Sequence, residues 1–301
     1  MRALVIGCGY VGEPLAKRLV ELGHEVWGVR RTSESAEKLA AHGIKPFAAD
    51  ISQPGALDSL PSSFDWIVNL VSSDKGGPAE YRQVYLEGNR NIVEWIRKHP
   101  VKKFVYTSST SVYAQNDGSA VKESSPAEPQ TETSQILVQA EKLLTAAAPA
   151  IPTVILRVAG IYGPERGHLF KQYLKSESKI PGAGARIINM IYRDDLVEVI
   201  IAALKNGRAG ETYNVVDDEP VSLLHFYRWL AETLGKWMPP FVPEDEAPER
   251  KRALTSKKVQ NRKMKTELGV QLKYPTFRQG YTAEIRRMEN SGELNIDPEP
   301  R

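Results

Sequence analysis

Short apolar runs alternate with longer amphipathic segments along the first half of the chain. The runs are rich in β-branched residues and have no polar face, which is typical of strands buried on both sides of a sheet. Between the first two runs, Leu15, Leu19 and Leu22 have the spacing of a helix. This alternation predicts an α/β fold with a doubly wound parallel sheet. The runs occupy residues 3–6, 25–29, 46–49, 66–71, 103–107 and 153–158.

The pattern loosens after the sixth run. Glycines and prolines interrupt residues 163–184, which predicts an excursion away from the sheet. A helix is then predicted over 193–204 and one more strand over 212–216. Ser222 is placed to cap a further helix, which ends at Gly235.

These elements predict two lobes and a tail. A dinucleotide-binding domain would consist of residues 1–165 plus 190–216. A smaller substrate-binding lobe would consist of residues 166–189 plus 217–290. Residues 291–301 are predicted to form a loose tail.

The composition excludes several classes of protein. With 301 residues, 41% of them apolar, the chain can bury a full core. A net charge of +3 is too small to indicate nucleic-acid binding. The apolar run before Gly7 is too short for a signal peptide, and no apolar stretch reaches the roughly 20 residues of a membrane span. We therefore predict a cytoplasmic protein with no nucleic-acid or membrane partner.

Two local features allow more than one interpretation. Cys8 is the single cysteine, which excludes an intramolecular disulfide and a multi-thiol metal site, so no metal is predicted. Its position near a helix start suits either a thiol of lowered pKa or a small residue that fills a tight turn. The basic stretch 250–265 is either solvated surface or a dock for a phosphorylated substrate.

Gly7, Gly9 and Gly12 form a G-x-G-x-x-G motif directly after the first predicted strand. The first glycine permits a tight turn, the second lets backbone amides approach a pyrophosphate, and the third lets helix and strand pack closely. The pyrophosphate then meets the N-terminus of the next helix, beside Tyr10 and Val11. The motif predicts a Rossmann-type dinucleotide-binding domain.

Two arginines stand where the type of nicotinamide cofactor is distinguished. About 20 residues after the glycines, a NAD site usually places an Asp or Glu that binds the ribose 2′-hydroxyl. This chain has Arg30 and Arg31 there, followed by Thr32. Guanidinium groups suit a 2′-phosphate, so the sequence predicts NADP in preference to NAD.

Several segments together resemble the extended short-chain dehydrogenase/reductases, the NAD-dependent epimerase/dehydratase family. The resemblance runs from Met1 to about Arg287 and is carried by residues 49–51, 69–72, 104–113, 156–164, 192–195 and 211–215. It implies that Ser109 takes the place of the catalytic serine and Thr133 that of the catalytic tyrosine. For the cofactor it implies Asp50, Ile51, Val71 and Ser72, and for the substrate Ser111, Tyr85 and Tyr162.

The Tyr-x-x-x-Lys pair of that family is absent from the chain. Thr133 and Leu137 occupy its place, and no tyrosine in the sequence has a lysine four residues later. A threonine hydroxyl cannot act as a base without a group that activates it, and Leu137 offers none. Tyr85 also stands where the family often has an asparagine. The chain therefore resembles the atypical branch of the family.

Two functions from different classes follow from these observations. The first is an NADP-dependent reductase, epimerase or dehydratase with altered acid–base residues, which acts on a phosphorylated or nucleotide-linked sugar or another small carbonyl or hydroxyl compound. The second is a non-catalytic NADP-binding protein that senses redox state or regulates a partner. A third possible function is a structural role without a cofactor. The sequence also leaves open whether the protein forms a homodimer. Hydride exchange with a carbonyl compound would separate the first two.

Overall fold

The structure is a computed structural model that describes residues 1–74, 76–246 and 255–294. The strands in chain order are β1 (Arg2–Ile6), β2 (Glu25–Arg30), β3 (Lys45–Ala48), β4 (Trp66–Asn69), β5 (Lys103–Ser109), β6 (Ala120–Val121), β7 (Thr153–Val158), β8 (Gly160–Tyr162), β9 (Ile180–Pro181), β10 (Ile187–Ile188), β11 (Met190–Tyr192), β12 (Thr212–Val215), β13 (Val221–Ser222), β14 (Phe241–Val242) and β15 (Lys258–Val259). The helices are α1 (Gly12–Glu21), α2 (Ser33–Glu37), α3 (Pro78–Tyr81), α4 (Gly88–Lys98), α5 (Glu132–Ala147), α6 (His168–Leu174), α7 (Arg193–Asn206), α8 (Leu223–Leu234), α9 (Arg262–Leu268) and α10 (Phe277–Ser291).

Seven strands form one central sheet in the order β3-β2-β1-β4-β5-β7-β12. Every neighbouring pair in this sheet is parallel. The chain runs outward from β1 to β3 and then crosses to the other side of β1, so the strand order reverses between β1 and β4. The predicted doubly wound parallel sheet of the Rossmann type is confirmed.

Two hydrophobic clusters cover the two faces of this sheet. Apolar residues of α4 and α5, such as Ile92 and Leu144, pack on one face. Apolar residues of α1, α7 and α9, such as Leu15, Leu196 and Met264, pack on the other. Because both faces are covered, the central strands β1, β4 and β7 are buried along nearly their whole length, whereas the edge strand β3 is largely exposed.

A third hydrophobic cluster lies in the C-terminal part of the chain and is rich in aromatic residues. It joins α6, α8 and α10 through side chains such as Phe170, Phe226 and Tyr281. Leu294 packs against it from beyond the last helix, while the remainder of the predicted tail, 295–301, lies outside the described residues. None of the helices in the described ranges has both the length and the apolar composition needed to cross a bilayer.

Element ends agree with the sequence where a side chain or a glycine sets them. The Ser222 hydroxyl accepts a hydrogen bond from the His225 amide at 3.2 Å, and Gly235 ends α8 with a φ of +60°. These are the predicted cap and stop. By contrast, β4 ends two residues before the predicted limit. The Asn69 side-chain oxygen accepts from the Val71 amide at 3.1 Å and turns the chain away from the ladder.

Candidate functional site

A cleft of about 640 Å³ opens at the carboxyl ends of β1, β4 and β5. This is where the strand order reverses, and open parallel sheets bind their ligands at such a point. Gly9, Arg31, Ser109 and Leu137 all line the cleft. Positions that the sequence assigned to cofactor binding and to catalysis therefore share one cavity.

The three glycines differ in what surrounds them. A Cβ on Gly7 would lie 2.7 Å from the Val71 nitrogen, and its φ of +82° is one that other residues rarely adopt. A Cβ on Gly12 would lie 2.4 Å from the Gly7 oxygen. A Cβ on Gly9 would meet no atom within 4 Å. Gly7 and Gly12 are thus needed for the turn itself, whereas Gly9 leaves room in the cleft.

The open space at Gly9 lies at the N-terminus of α1. Tyr10 and Val11 line the cleft there, and the Val11 side chain makes no capping hydrogen bond to the first turn of the helix. Backbone N–H groups at a helix start are unpaired donors and favour an anion. The turn therefore fits the pyrophosphate of a dinucleotide by shape and by charge.

Cys8 fills the turn rather than offering a reactive thiol. It is fully buried, and burial raises the pKa of the thiol to about 12. Its sulfur would lie 3.1 Å from a Cβ on Gly28 of β2, so the space around it is tight. The structure thus favours the second of the two interpretations of this residue.

Arg30 and Arg31 both line the cleft but have different surroundings. The Arg30 guanidinium donates to the Cys8 oxygen at 2.6 Å, to the Ser35 oxygen at 3.0 Å and to Glu13 at 2.5 Å. It ties the glycine turn to α1 and α2. Arg31 is exposed and forms an ion pair with Asp74, which raises the pKa of the guanidinium.

Thr32, Asp50 and Ile51 are predicted to contact the adenosine half of the cofactor, and two of these three line the cleft. Asp50 and Ile51 line the cleft after β3. The Asp50 carboxylate accepts from the Ser52 amide at 3.0 Å, and the Ile51 oxygen accepts from the Asn91 side chain at 2.8 Å. Thr32 is not among the described lining residues: its hydroxyl accepts from the Ser35 amide and caps α2.

The opposite wall begins after β4 with Val71 and Ser72, which line the cleft. Next to them lies Tyr85, whose hydroxyl accepts from the Ser73 amide at 3.2 Å. Tyr85 belongs to a π-helical turn, Arg82–Glu87, inserted between α3 and α4. Such turns are frequent at functional sites, because they re-aim a side chain that a regular helix would direct elsewhere.

Ser109 ends β5 at the cleft, where its hydroxyl accepts from the Ser111 amide at 3.2 Å. The Ser111 hydroxyl is itself buried, makes no hydrogen bond among the described residues and does not line the cleft. Ser111 therefore lies behind Ser109. Its backbone, not its side chain, is what holds Ser109 in place.

A buried ion pair supports the end of β5, and it was not predicted from the sequence. The Ser108 hydroxyl donates to Glu141 at 2.5 Å, and Glu141 pairs with Arg157 at 2.7 Å. Arg157 also donates to the Tyr113 hydroxyl at 2.9 Å. An arginine inside the apolar strand 153–158 was the signal for this network, since a buried charge requires a partner.

Thr133 and Leu137 lie one turn apart near the start of α5. Leu137 lines the cleft and is 1% exposed, so an apolar side chain fills the place of the family's lysine. The Thr133 hydroxyl is buried, makes no hydrogen bond among the described residues and does not line the cleft. Neither residue brings a titratable group to the cavity.

Tyr162, predicted to bind substrate, lies in the aromatic cluster of the C-terminal part. Its ring stacks on Tyr281 at 4.3 Å and meets Tyr192 edge-on at 5.4 Å. Burial raises the pKa of its hydroxyl, which makes no hydrogen bond among the described residues. The structure does not bring Tyr162 to the lining of the cleft.

A second cleft of about 870 Å³ lies between the C-terminal part of the chain and the loop after β5. Its lining includes the cations Lys179, Arg186 and Lys258 and the ring of Tyr227. Acidic side chains, among them Glu177, also line it. Lys258 belongs to the basic stretch 250–265, of which residues 250–254 lie outside the described part of the chain.

Other lysines of the basic stretch are engaged within the protein. Lys257 is 3% exposed and donates to the Tyr113 oxygen at 3.0 Å, and burial lowers the pKa of its ammonium to about 8. Lys263 pairs with Glu211 at 2.6 Å. Among the described residues of the stretch, these two lysines are held by contacts within the protein.

Comparison with known proteins adds to this geometry. The model of the NAD-dependent epimerase/dehydratase family matches residues 3–216, a range that contains the seven-stranded sheet apart from Arg2, the first residue of β1. The chain belongs to this family. Among similar proteins, Protein YeeZ of Escherichia coli strain K12 is 27% identical in an alignment of 284 positions that covers 91% of this chain and 96% of YeeZ.

Solved structures similar to this family member extend the comparison over almost the whole chain. A functionally unknown conserved protein from Silicibacter pomeroyi is 29% identical, with a TM-score of 0.77 over 96% of this chain and 99% of that one. A dTDP-glucose 4,6-dehydratase from Bacillus anthracis, solved in complex with NAD, has a TM-score of 0.81 over 97% of this chain and 98% of that one. At 19% identity, the second likeness shows the fold alone.

Proposed function

We propose that this protein is an NADP-dependent enzyme of the epimerase/dehydratase family that reduces, epimerises or dehydrates a phosphorylated or nucleotide-linked compound with altered acid–base residues. The observation that carries the proposal is the shared cleft, in which the open space at Gly9 and the Ser109 hydroxyl line one cavity. When bound, the nicotinamide supplies or accepts a hydride. Residues of this chain would hold the cofactor and orient the substrate oxygen.

The cofactor would be held by three parts of the cleft. Backbone amides at the start of α1, beside the open space at Gly9, would bind the pyrophosphate. Asp50 and Ile51 would contact the adenine, and Val71 and Ser72 would lie along the nicotinamide half. The domain that binds it would consist of residues 1–165 plus 190–216, and the aromatic cluster would belong to the substrate lobe, 166–189 plus 217–290.

NADP is favoured over NAD because of the charge at the end of β2. The Bacillus anthracis dehydratase contains NAD, whereas this chain has no carboxylate at positions 30–32. Arg31 is exposed at the cleft and can turn toward a 2′-phosphate. Arg30 would act mainly by holding the turn, because Glu13 and two backbone oxygens already engage it.

Proton transfer would fall to a group other than the missing pair. A phenol from elsewhere in the chain could supply the proton. Tyr113 and Tyr162 do not line the cleft, whereas Tyr85 does. The Tyr85 phenol would therefore act as the acid in place of the missing pair, and the Ser109 hydroxyl would hydrogen-bond the reacting oxygen of the substrate. The second cleft, with Lys179, Arg186 and Lys258, would take the anionic part of the substrate.

Hydride exchange tests this function directly. A mixture of NADP⁺ and NADPH labelled with deuterium at the nicotinamide C4 is incubated with the protein and with UDP- and dTDP-linked sugars. NADP⁺ takes a hydride from a sugar carbinol, the labelled NADPH returns deuteride to the resulting ketone, and transfer of the label to the sugar is followed by mass spectrometry. We expect exchange with at least one nucleotide-linked compound, reduced by about 10²-fold or more in Ser109→Ala and in Tyr85→Phe. Ser62→Ala, an exposed serine ahead of β4, is the matched control. Binding of NADPH without exchange would overturn the enzymatic assignment.

One observation favours a second candidate, a non-catalytic NADP-binding sensor or regulator. Leu137 puts an apolar side chain at the place of the lysine that the family uses for proton transfer. A sensor would bind NADPH and NADP⁺ with different affinities and would give no exchange with any carbonyl compound. Titration calorimetry of both redox forms, run beside the exchange assay, separates the two functions.

A further inference from the structure

Asp74 lies directly across the cofactor cleft from the end of β2. It follows β4 by five residues, on the loop that carries Val71 and Ser72, and it lines the cleft. Its carboxylate accepts a hydrogen bond from the Arg31 guanidinium and forms an ion pair with it. The pair joins residues 43 positions apart in sequence and so links the two lips of the cleft.

The pair is exposed, with 62% of the Arg31 side chain and 63% of the Asp74 side chain accessible to solvent. An ion pair in this setting contributes only about 0.2–1 kcal/mol to stability. A bound ligand with a stronger negative charge can therefore displace it. The 2′-phosphate of NADP is such a ligand, whereas the 2′-hydroxyl of NAD is not.

Arg31 is the arginine whose partner must change when a 2′-phosphate binds. Arg30 is held by Glu13 and by the Cys8 and Ser35 oxygens, and these contacts define the turn. Discrimination between the two cofactors then depends on how strongly Arg31 is bound by Asp74. After displacement, the Asp74 carboxylate stays near the phosphate and repels it.

We infer that Asp74 is a second determinant of cofactor specificity, a carboxylate that competes with the 2′-phosphate for Arg31 and limits the preference for NADP over NAD. This inference rests on the proposed NADP site. It assigns opposite roles to the two members of one ion pair: Arg31 favours the phosphorylated cofactor, and Asp74 opposes it. The site is thereby able to accept both cofactors with a moderate preference.

Asp74→Asn tests the inference, because it removes the charge and keeps the shape of the side chain. We expect the affinity for NADPH to rise about fivefold, which is the upper range for an exposed pair, and the affinity for NADH to stay within about twofold. The control is Glu34→Gln, which removes the same charge from the exposed pair between Glu34 on α2 and Lys38 just after it. Glu34 does not line the cleft, so this variant reports the effect of net charge alone.

Adenosine 2′,5′-bisphosphate and adenosine 5′-monophosphate serve as smaller probes in the same calorimetric titrations. Asp74→Asn should raise the affinity for the bisphosphate and leave the affinity for the monophosphate unchanged. When Arg31→Ala is also present, Asp74→Asn should raise the affinity for the bisphosphate by a smaller factor, because there is no longer an Arg31 side chain to compete for.

The outcomes separate this inference from the proposed function. Suppose that the parent protein binds NADPH and that Asp74→Asn leaves both affinities unchanged or alters the affinities for NADPH and NADH equally. The inference about Asp74 is then wrong, while the proposed cofactor site is still supported. If Glu34→Gln raises the affinity for NADPH as much as Asp74→Asn does, net charge explains the gain and the inference also fails. If the parent protein binds neither cofactor, both are wrong.

Discussion

The two walls of the cofactor cleft differ in how completely they are built. The wall formed by β1, α1 and β2 has a turn of the required shape, with open space at Gly9 and a cation at Arg31. The wall formed by β5 and α5 keeps Ser109 but presents Leu137 where the family has a lysine. Binding needs backbone shape and charge, which one short segment supplies, whereas proton transfer needs several side chains in register. The side chains of the α5 wall can therefore change while the glycine turn of the other wall stays the same.

The largest expected effect comes from rebuilding the α5 wall with Thr133→Tyr and Leu137→Lys together. Residues four apart share one helix face, so the phenol and the ammonium become neighbours. We expect hydride transfer to simple carbonyl compounds to rise by about 10²-fold, measured as NADPH oxidation at 340 nm. The single variant Leu137→Met is the packing control and should leave the rate unchanged. Robust turnover by the parent protein that survives Tyr85→Phe would show that another base already exists.

The next largest effect is expected from Gly9→Val, which tests whether the open space on the β1–α1 wall is needed for cofactor binding. A Cβ at this position would lie in the cleft with no protein atom within 4 Å, so cofactor binding should weaken by at least about tenfold while the melting temperature stays constant. Gly7→Ala is the contrasting variant. Its φ of +82° and the contact at 2.7 Å should lower the melting temperature as well. Equal stability loss in both variants would contradict the difference between the two glycines.

Arg31→Ala tests the contribution of positive charge on the β1–α1 wall to cofactor binding. We expect NADPH to bind about tenfold more weakly and NADH to be nearly unaffected, because each 1.4 kcal/mol is about a factor of ten. In the parent protein, the difference in affinity between NADPH and NADH should become smaller as the salt concentration is raised. Arg30→Ala, which removes three contacts of the turn, should weaken both cofactors and lower stability. Equal losses for both cofactors in Arg31→Ala would defeat its assignment to the 2′-phosphate.

The smallest effect concerns Glu13, which engages Arg30. A hydrogen bond from Lys17, assisted by Arg30, lowers the pKa of the Glu13 carboxyl below its ordinary value of 4.5. A lowered folded-state pKa stabilises the fold above pH 4.5, and this contribution is lost as the pH falls through the folded-state value. Glu13→Gln should therefore cost up to about 1 kcal/mol at pH 7, and less at pH 3. Urea unfolding of both proteins at the two pH values checks this, and a cost independent of pH would contradict it.

Local patterns were enough to predict much of the fold and part of the site. Apolar runs identified the seven strands of the sheet, and Ser222 and Gly235 set the limits of α8. The glycine motif and the arginines after β2 fall in one cleft as expected. These features succeed because the residues responsible lie within a few positions of the structure they determine.

Contacts between distant segments could not be predicted in this way. The Arg31–Asp74 pair, the Glu141–Arg157 pair and the π-helical turn at Tyr85 depend on how β-strands and helices are brought together. The family resemblance implies that Tyr162 binds substrate, and only the structure shows that its ring stacks on Tyr281. A side chain's partner is chosen by tertiary packing, which determines burial and charge and is not encoded in any short stretch of chain.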